Sequence, residues 1–364
     1  MDTTANEIVF DENGNCNFCN DFKKLNLKEE KEKEKKKNLD QLIFKIRSTK
    51  KNIDYDCIVG LSGGVDSCYV LVRAVELGLK PLAVHMDNGW NSELAQNNIS
   101  NLVKSLNIDL YTHVIDWEEY KNLQKTFFKA NVVDIELLYD NAMMAANFQI
   151  ADKFNVKYIL SGMNTSTEGF KIPNEWSWFK NDAKNIKQIA KKFSNQKIKT
   201  FPLFGTFDYI KFVFTKNIKW ISFPDYFNYN KEKAINELEA KFNFKRYPYK
   251  HYENIFTRFY QGYILPKKFD IDKRKLHLSN LILTGQISRS EALKKIQEPP
   301  YIDIDEERKD IEYFLKKMNW EKKQLENYLK ADKVSHIKYG SEKILWKFLT
   351  KIYSKLNFII KIQK

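Results

Sequence analysis

Six consecutive residues, Ser62, Gly63, Gly64, Val65, Asp66 and Ser67, have the make-up of an anion-binding turn. They follow an apolar run at 56–61 that reads as a strand and open a run that reads as a helix. In that setting backbone N–H groups converge on an anion at the helix N-terminus. Ser62 and Ser67 add hydroxyls, and Gly63 and Gly64 let a phosphate come close to the backbone. Asp66 has two open roles: it could cap the helix, or help hold magnesium beside phosphates. The lysine of the Gly-x-x-x-x-Gly-Lys-[Ser/Thr] loop is missing, so kinase-type phosphate chemistry is not implied. An ordinary strand-to-helix turn is the competing reading.

A second constellation is Cys16-Asn-Phe-Cys19, which follows a glycine-bearing turn and has the spacing of half a zinc knuckle. Zinc needs four ligands and no second pair follows, because Cys57 falls in a predicted strand and Cys68 in a predicted helix. Cys16 and Cys19 are therefore candidate zinc ligands in an incomplete set. Cys68, just after the loop, could have a lowered pKa at a helix N-terminus, or could simply pack.

Regular alternation places these residues. Strands are predicted at 56–61, 81–86, 109–115 and 156–161, with helices at 66–78, 92–106 and 134–154. Strands separated by helices imply right-handed crossovers and a parallel sheet. Ligands on such a sheet sit at the carboxyl ends of the strands. Residues 62–66, 85–90, 116 and 161–168 should then line one crevice. After about residue 170, aromatic-rich stretches and helical segments at 231–242, 252–265 and 290–296 follow. Ser288-Arg-Ser-Glu291 reads as a capping box. The expected fold is α/β, a parallel-sheet Rossmann-like core with an N-terminal Cys-x-x-Cys segment and a mainly helical C-terminal extension. The division is 1–50 for the Cys-x-x-Cys segment and charged helix, 51–230 for the nucleotide domain and 231–364 for substrate or partner contacts.

Composition bounds the rest. A chain of 364 residues that is 43% hydrophobic can bury a large core. No run of about 18 apolar residues occurs, and the first residues lack a secretory pattern, so neither a membrane span nor export is expected. Four scattered cysteines fit a reducing cytoplasm. The net charge of +14 suits an anionic substrate, or a nucleic acid. The charged run at 28–38 reads as a solvated helix face, and 342–364 as a basic amphipathic terminal helix.

The Ser-Gly-Gly-x-Asp-Ser loop resembles the pyrophosphate loop of the N-type ATP pyrophosphatases, which cleave ATP to AMP and pyrophosphate. With the segments at 8–19, 141–146, 161–171, 176–178, 223–226, 246–251, 257–262 and 267–285, nearly the whole chain is similar to the N-acetyl sugar amidotransferase family. Members of that family form amidino sugars in lipopolysaccharide O-antigen and in pseudaminic-acid flagellin glycans. They commonly carry an earlier Cys-x-x-Cys before a Met-Asp-Thr-Thr-like segment, and this chain begins at that methionine. The expectation is a start codon placed too late, with loss of half the zinc site as the alternative.

The resemblance implies that ATP transfers AMP to the oxygen of a sugar acetamido group, and that ammonia then displaces AMP. It implies ATP and Mg2+ as cofactors, with His85, Asp87 and Gly162 joining the loop in binding the nucleotide; for Asp87 the open roles are ribose, metal or simply the start of the following turn. Asp66 and Ser67 would be catalytic. Asn164, Thr165, Glu168, Lys171, Arg258, Tyr260 and Gln261 would contact the sugar, with core packing as the alternative for Tyr260. Ammonia would come from a histidine-biosynthesis-like glutaminase partner, with no nucleic acid or membrane involved. A crevice without cysteine favours nitrogen over sulfur as the nucleophile. A tRNA-modifying enzyme, by thiolation or lysine attachment, is the alternative.

Overall fold

A computed structural model of the chain describes residues 1–26, 32–49, 54–248 and 252–362. Part of the charged run (28–31), the end of the block 246–251 (249–251) and the last two residues lie outside the described residues. Five short strands form one parallel sheet: β1 (Cys57–Gly60), β2 (Pro81–Asp87), β3 (Leu110–Val114), β4 (Tyr158–Ser161) and β5 (Lys219–Ser222). The order is β3-β2-β1-β4-β5. The chain winds outward from β1 to β3, then returns to lay β4 on the other side of β1. The strand order therefore reverses between β1 and β4, where a crevice opens at the carboxyl ends.

The apolar runs explain the layers. β1 and β4 are buried almost end to end, as strands covered on both faces must be. One face packs on the helices Val65–Glu76 and Lys231–Phe242, with Leu39, Leu42 and Ile46 joining from the helix Glu32–Ser48. The other packs on the helix Leu137–Lys153 together with Phe204 and Phe212. A third core lies away from the sheet, around Trp90, Phe128, Phe256 and Phe314.

Several expectations change in detail. β5 was not foreseen, because Lys219–Ser222 is a four-residue edge strand with no alternation. The helix Trp117–Ala130 was not foreseen either, and its N-cap is Asp116, whose side chain accepts from the Glu119 N–H at 2.8 Å. Asp116 therefore does not line the crevice. It sits exposed beyond the edge strand β3, two strand spacings from β1, roughly 10 Å. The expected helix at 252–265 is shorter and different. A turn of α-helix at Ile255–Phe259 widens into a π-helical stretch, Tyr260–Phe269, that contains Pro266. Proline has no N–H to donate, so a regular ladder cannot continue there. The capping box at Ser288 and Glu291 is present as expected.

Candidate active site at the switch point of the sheet

The loop after β1 is held by its own hydroxyls. Ser62 Oγ accepts from the Gly64 N–H at 3.2 Å, and Ser67 Oγ accepts from the Ser62 N–H at 3.2 Å. Ser67 Oγ also donates to the Gly64 carbonyl at 3.0 Å. The helix Val65–Glu76 has Gly64 as its N-cap, with no side-chain capping bond. Its first-turn N–H groups thus lack a side-chain acceptor, which is the arrangement a phosphate completes. Gly63 has φ +84°, and a Cβ there would lie 2.7 Å from the Ala95 carbonyl, so only glycine fits. Tyr247 fixes that glycine by donating its hydroxyl to the Gly63 carbonyl at 2.8 Å.

Asp66 is not the helix cap. Its Oδ1 accepts from the Tyr229 hydroxyl at 2.5 Å and lies 3.3 Å from Asn164 Nδ2. Burial, then the neighbouring Asp66 carboxylate, push the Tyr229 phenol far above its ordinary pKa, so it stays a donor. The charge of Glu168 bears on the same phenol.

The loop after β4 is pressed onto this helix start. A Cβ on Gly162 would lie 2.9 Å from the Ser67 nitrogen and 3.0 Å from the Asp66 carbonyl carbon. Asn164 is buried and N-caps the turn Thr165–Glu168, accepting from the Thr167 N–H at 2.8 Å while its amide reaches Asp66 and the Gly162 carbonyl. It is a strut between the two loops. Thr165 is exposed and donates from N–H and hydroxyl to Asp225 at 2.7 and 2.9 Å. Glu168 and Lys171 are also exposed, and no hydrogen bond or ion pair among the described residues joins Lys171 to the loop.

Several sequence-predicted residues have other work. His85 is buried, with Nδ1 donating to the Leu61 carbonyl at 2.8 Å and Nε2 facing the Asn91 amide at 3.0 Å. With both nitrogens engaged it braces the loop from behind. Asp87 opens the next turn, accepting from the Gly89 N–H at 2.8 Å and the Asn91 amide at 3.2 Å. Arg258 is spent on a bidentate pair with Asp310 at 2.6 and 2.5 Å, with Glu306 at 3.3 Å, and stacks on Tyr252. Tyr260 is 1% exposed and donates to the Val133 carbonyl at 2.5 Å, so it belongs to the core. Gln261 donates to both oxygens of Glu136, away from the loop's own contacts.

Sequence reasoning missed Tyr229, Asp225, Tyr247 and Glu253. A Cβ on Gly64 would lie 3.5 Å from Glu253 Oε1, so that carboxylate overlooks the loop. The only sequence signal for Tyr229 was its place in an aromatic-rich stretch.

Two groups implied by the sequence were tested against these residues. Magnesium fits: it binds through as few as one or two carboxylates plus substrate phosphates, and Asp66, the second residue of the helix that opens from the loop, offers one. For zinc, Cys16 and Cys19 bring their sulfurs within 3.2 Å of each other, and no group of three or more His, Cys, Asp or Glu able to hold a metal occurs among the described residues. Burial and the adjacent Cys16 push the Cys19 thiol up to about 11. Cys57 and Cys68 are fully buried elsewhere, and burial pushes both thiols far up. No helix among the described residues is long and apolar enough to cross a membrane.

Comparison with known proteins gives two matches to separate segments. Residues 38–196 match NAD synthase, and residues 253–353 match the C-terminal domain of the LPS biosynthesis protein WbpG-like family. Solved structures with partial likeness include an NH3-dependent NAD synthetase from Campylobacter jejuni, 15% identical over 74% of this chain and 99% of that one, TM-score 0.31. NMN synthetase from Francisella tularensis is 15% identical over 59% and 98%, TM-score 0.30. A predicted subunit of tRNA methyltransferase from Methanocaldococcus jannaschii is 16% identical over 50% and 73%, TM-score 0.30. No curated protein sequence matches. Residues 38–196 are thus similar to NAD synthase, and residues 253–353 to the WbpG-like C-terminal domain.

Proposed function

We propose that this protein is an ATP-dependent amidotransferase that converts the acetamido group of an N-acetylated, acidic sugar to acetamidino during surface-glycan assembly. The observation that carries the reading is the meeting of the two matched segments at one loop. Glu253, the first residue of the WbpG-like segment, faces Gly64 in the segment of NAD synthase type. A nucleotide-activating loop and a lipopolysaccharide-type module thus share one crevice. In this reading residues 51–230 form the nucleotide half and 231–364 supply acceptor and partner contacts, while Phe18 and Phe22 of the segment 1–50 stack on Phe170, just after the Thr165–Glu168 turn.

The chemistry follows from the poor leaving ability of an amide oxygen. The loop N–H groups and the serines Ser62 and Ser67 hold the pyrophosphate while the sugar oxygen attacks the α-phosphorus. Magnesium, when bound, neutralises charge on the phosphates. Asp66, fixed by Tyr229 and Asn164, is placed to hold it. Ammonia then attacks the O-adenylated carbon and AMP departs. A histidine-biosynthesis-like glutaminase would supply the ammonia. Sulfur transfer is disfavoured because a thiolate is the competent nucleophile, and burial holds Cys57 and Cys68 as thiols.

The test is incubation with ATP, magnesium, an ammonium salt and acetamido sugars. A product lighter by about one mass unit, released with AMP and pyrophosphate, supports the reading. AMP formation with tRNA and with none of the sugars overturns it.

A further inference from the structure

The terminal helix Lys343–Ile362 is fixed at its start and bare along its outer side. Glu342 accepts from the Lys184 N–H at 3.0 Å and the Thr206 N–H at 2.6 Å, while its own N–H donates to Asp182 at 3.0 Å. The Trp346 N–H then donates to the Glu342 carbonyl at 2.8 Å. The inner side packs on aromatic rings. Trp346 meets Tyr209 at 4.7 Å and Phe179 at 5.4 Å between ring centres, and Tyr353 meets Phe214 at 5.2 Å. These contacts fix which way the helix faces.

The outer side carries two parallel stripes, because residues four apart stack one above the other on a helix. Ile344, Phe348 and Ile352 form an apolar stripe and are 74%, 61% and 40% exposed. Lys343, Lys347 and Lys351 form the stripe beside it, and Lys347 and Lys351 are exposed. Two more exposed rings stand next to the helix: Phe214 against Tyr353, and Phe207 beside the Thr206–Glu342 contact. Single exposed apolar side chains are ordinary on a protein surface, but a continuous row of them marks a surface that meets something.

Charge selects what it meets. From Lys343 to Lys364 the sequence has six lysines and no aspartate or glutamate. A helix with lysines along one edge of an apolar stripe lies in the plane of an anionic lipid surface. Its apolar side chains enter the boundary of the acyl chains, and its lysines reach up to the headgroups. Each lysine held near such a surface adds to the attraction. A second copy suits the face poorly, since a two-fold contact through this helix would bring lysines and no carboxylate to the seam. A protein partner suits it poorly as well, because lysine is depleted at protein interfaces. The helix is not long and apolar enough to cross a bilayer, so it would lie on one.

We propose that the outer face of Lys343–Ile362 docks on a lipid bilayer with negatively charged headgroups. Ile344, Phe348 and Ile352 enter the interface, and Lys347 and Lys351 pair with lipid phosphates. The protein is thereby peripheral to a membrane, contrary to the expectation drawn from the resemblance. The inference stands apart from the amidotransferase reading, because docking needs neither ATP nor a sugar.

The test is co-sedimentation of the full-length protein with vesicles of phosphatidylglycerol and phosphatidylcholine, and with vesicles of phosphatidylcholine alone. Binding is expected to the first, and about tenfold or more weaker to the second. Lys347→Gln combined with Lys351→Gln should weaken binding to the anionic vesicles about tenfold or more. Ile344→Ser combined with Phe348→Ser should weaken it about as much. All four side chains are exposed, so the circular dichroism spectrum and the melting temperature should not move. Lys322→Gln combined with Lys323→Gln removes two exposed charges from another helix and should leave binding unchanged. Absence of binding to the anionic vesicles overturns the proposal. An equal loss in the Lys322 and Lys323 variant also overturns it, since net charge alone would then act. Undiminished binding in the double serine variant does the same. A wild-type dimer in sedimentation velocity that the double serine variant turns into a monomer would give the face to a second copy instead.

Discussion

The Tyr229 hydroxyl donates to Asp66 at 2.5 Å, joining the first turn of the helix after β1 to the segment after β5. The carboxylate best placed for metal is therefore oriented by a residue 163 positions away in the chain. Tyr229→Phe removes the donor and keeps the ring. A hydrogen bond to a charged group is worth about 1.5–3 kcal/mol, so AMP formation should fall about tenfold or more. Asp66→Asn should abolish AMP formation with an unchanged circular dichroism spectrum. Steady-state AMP release with each variant checks both expectations, and wild-type rates would refute them.

Gly162→Ala should be equally damaging for a steric reason. Its Cβ would press on the Ser67 nitrogen at 2.9 Å, displacing the helix start that holds the phosphate. Overpacking of this kind costs about 1–3 kcal/mol. A lower melting temperature together with a raised KM for ATP is expected. An unaltered KM would show that the loop after β4 yields without moving the helix.

Arg258→Ala should behave as a stability variant. The substitution leaves buried Asp310 without its counter-charge and with only the Tyr301 hydroxyl as a donor, and breaking a buried pair costs about 3–5 kcal/mol. Thermal unfolding should shift strongly, while the KM values of the remaining folded protein stay put. Arg258→Met combined with Asp310→Leu should regain much of the loss. A raised sugar KM at normal stability would return Arg258 to the acceptor site.

Stability should fall as the solution is acidified below the ordinary histidine pKa. Burial lowers His336 from 6.5 to about 4, so the unfolded chain takes up its proton first. Its stabilising contribution is complete above about pH 6.5 and is lost progressively toward pH 4, up to about 3 kcal/mol. Asp134 acts in the same direction further down: despite burial, Lys180 and Lys273 hold it well below the ordinary carboxylate value, so its contribution fades as pH falls through that range. Denaturant unfolding from pH 7.5 to 4.5, wild type against His336→Gln, should show a steeper acid loss in the wild type.

The loop and the parallel sheet were readable because their signals are local. Residues 62–67 sit between an apolar run and a helix, and β1, β2 and β4 are buried strands with little polar interruption. β5 escaped because an edge strand of four half-exposed residues carries no such run. The partners of Arg258 and Asn164 were not legible because they are remote: Asp310 lies 52 positions from Arg258, and Asp66 lies 98 from Asn164. The resemblance implied a sugar contact for both. Only packing reveals a closed ion pair and a strut. Tyr229 and Tyr247 were hidden for the converse reason, since a tyrosine in an aromatic-rich stretch reads as core until its hydroxyl is seen to reach the loop.

The crossing of Tyr247 and Glu253 over Gly63 and Gly64 has an evolutionary corollary. The second matched segment begins at Glu253, beside the crevice, so a junction just before it is a poor place for recombination. A gene fusion that exchanged one partner at that seam would inherit a loop without its overhanging residues. The two segments should consequently descend together, and a chimera with its junction near residue 250 should bind ATP less tightly than either parent.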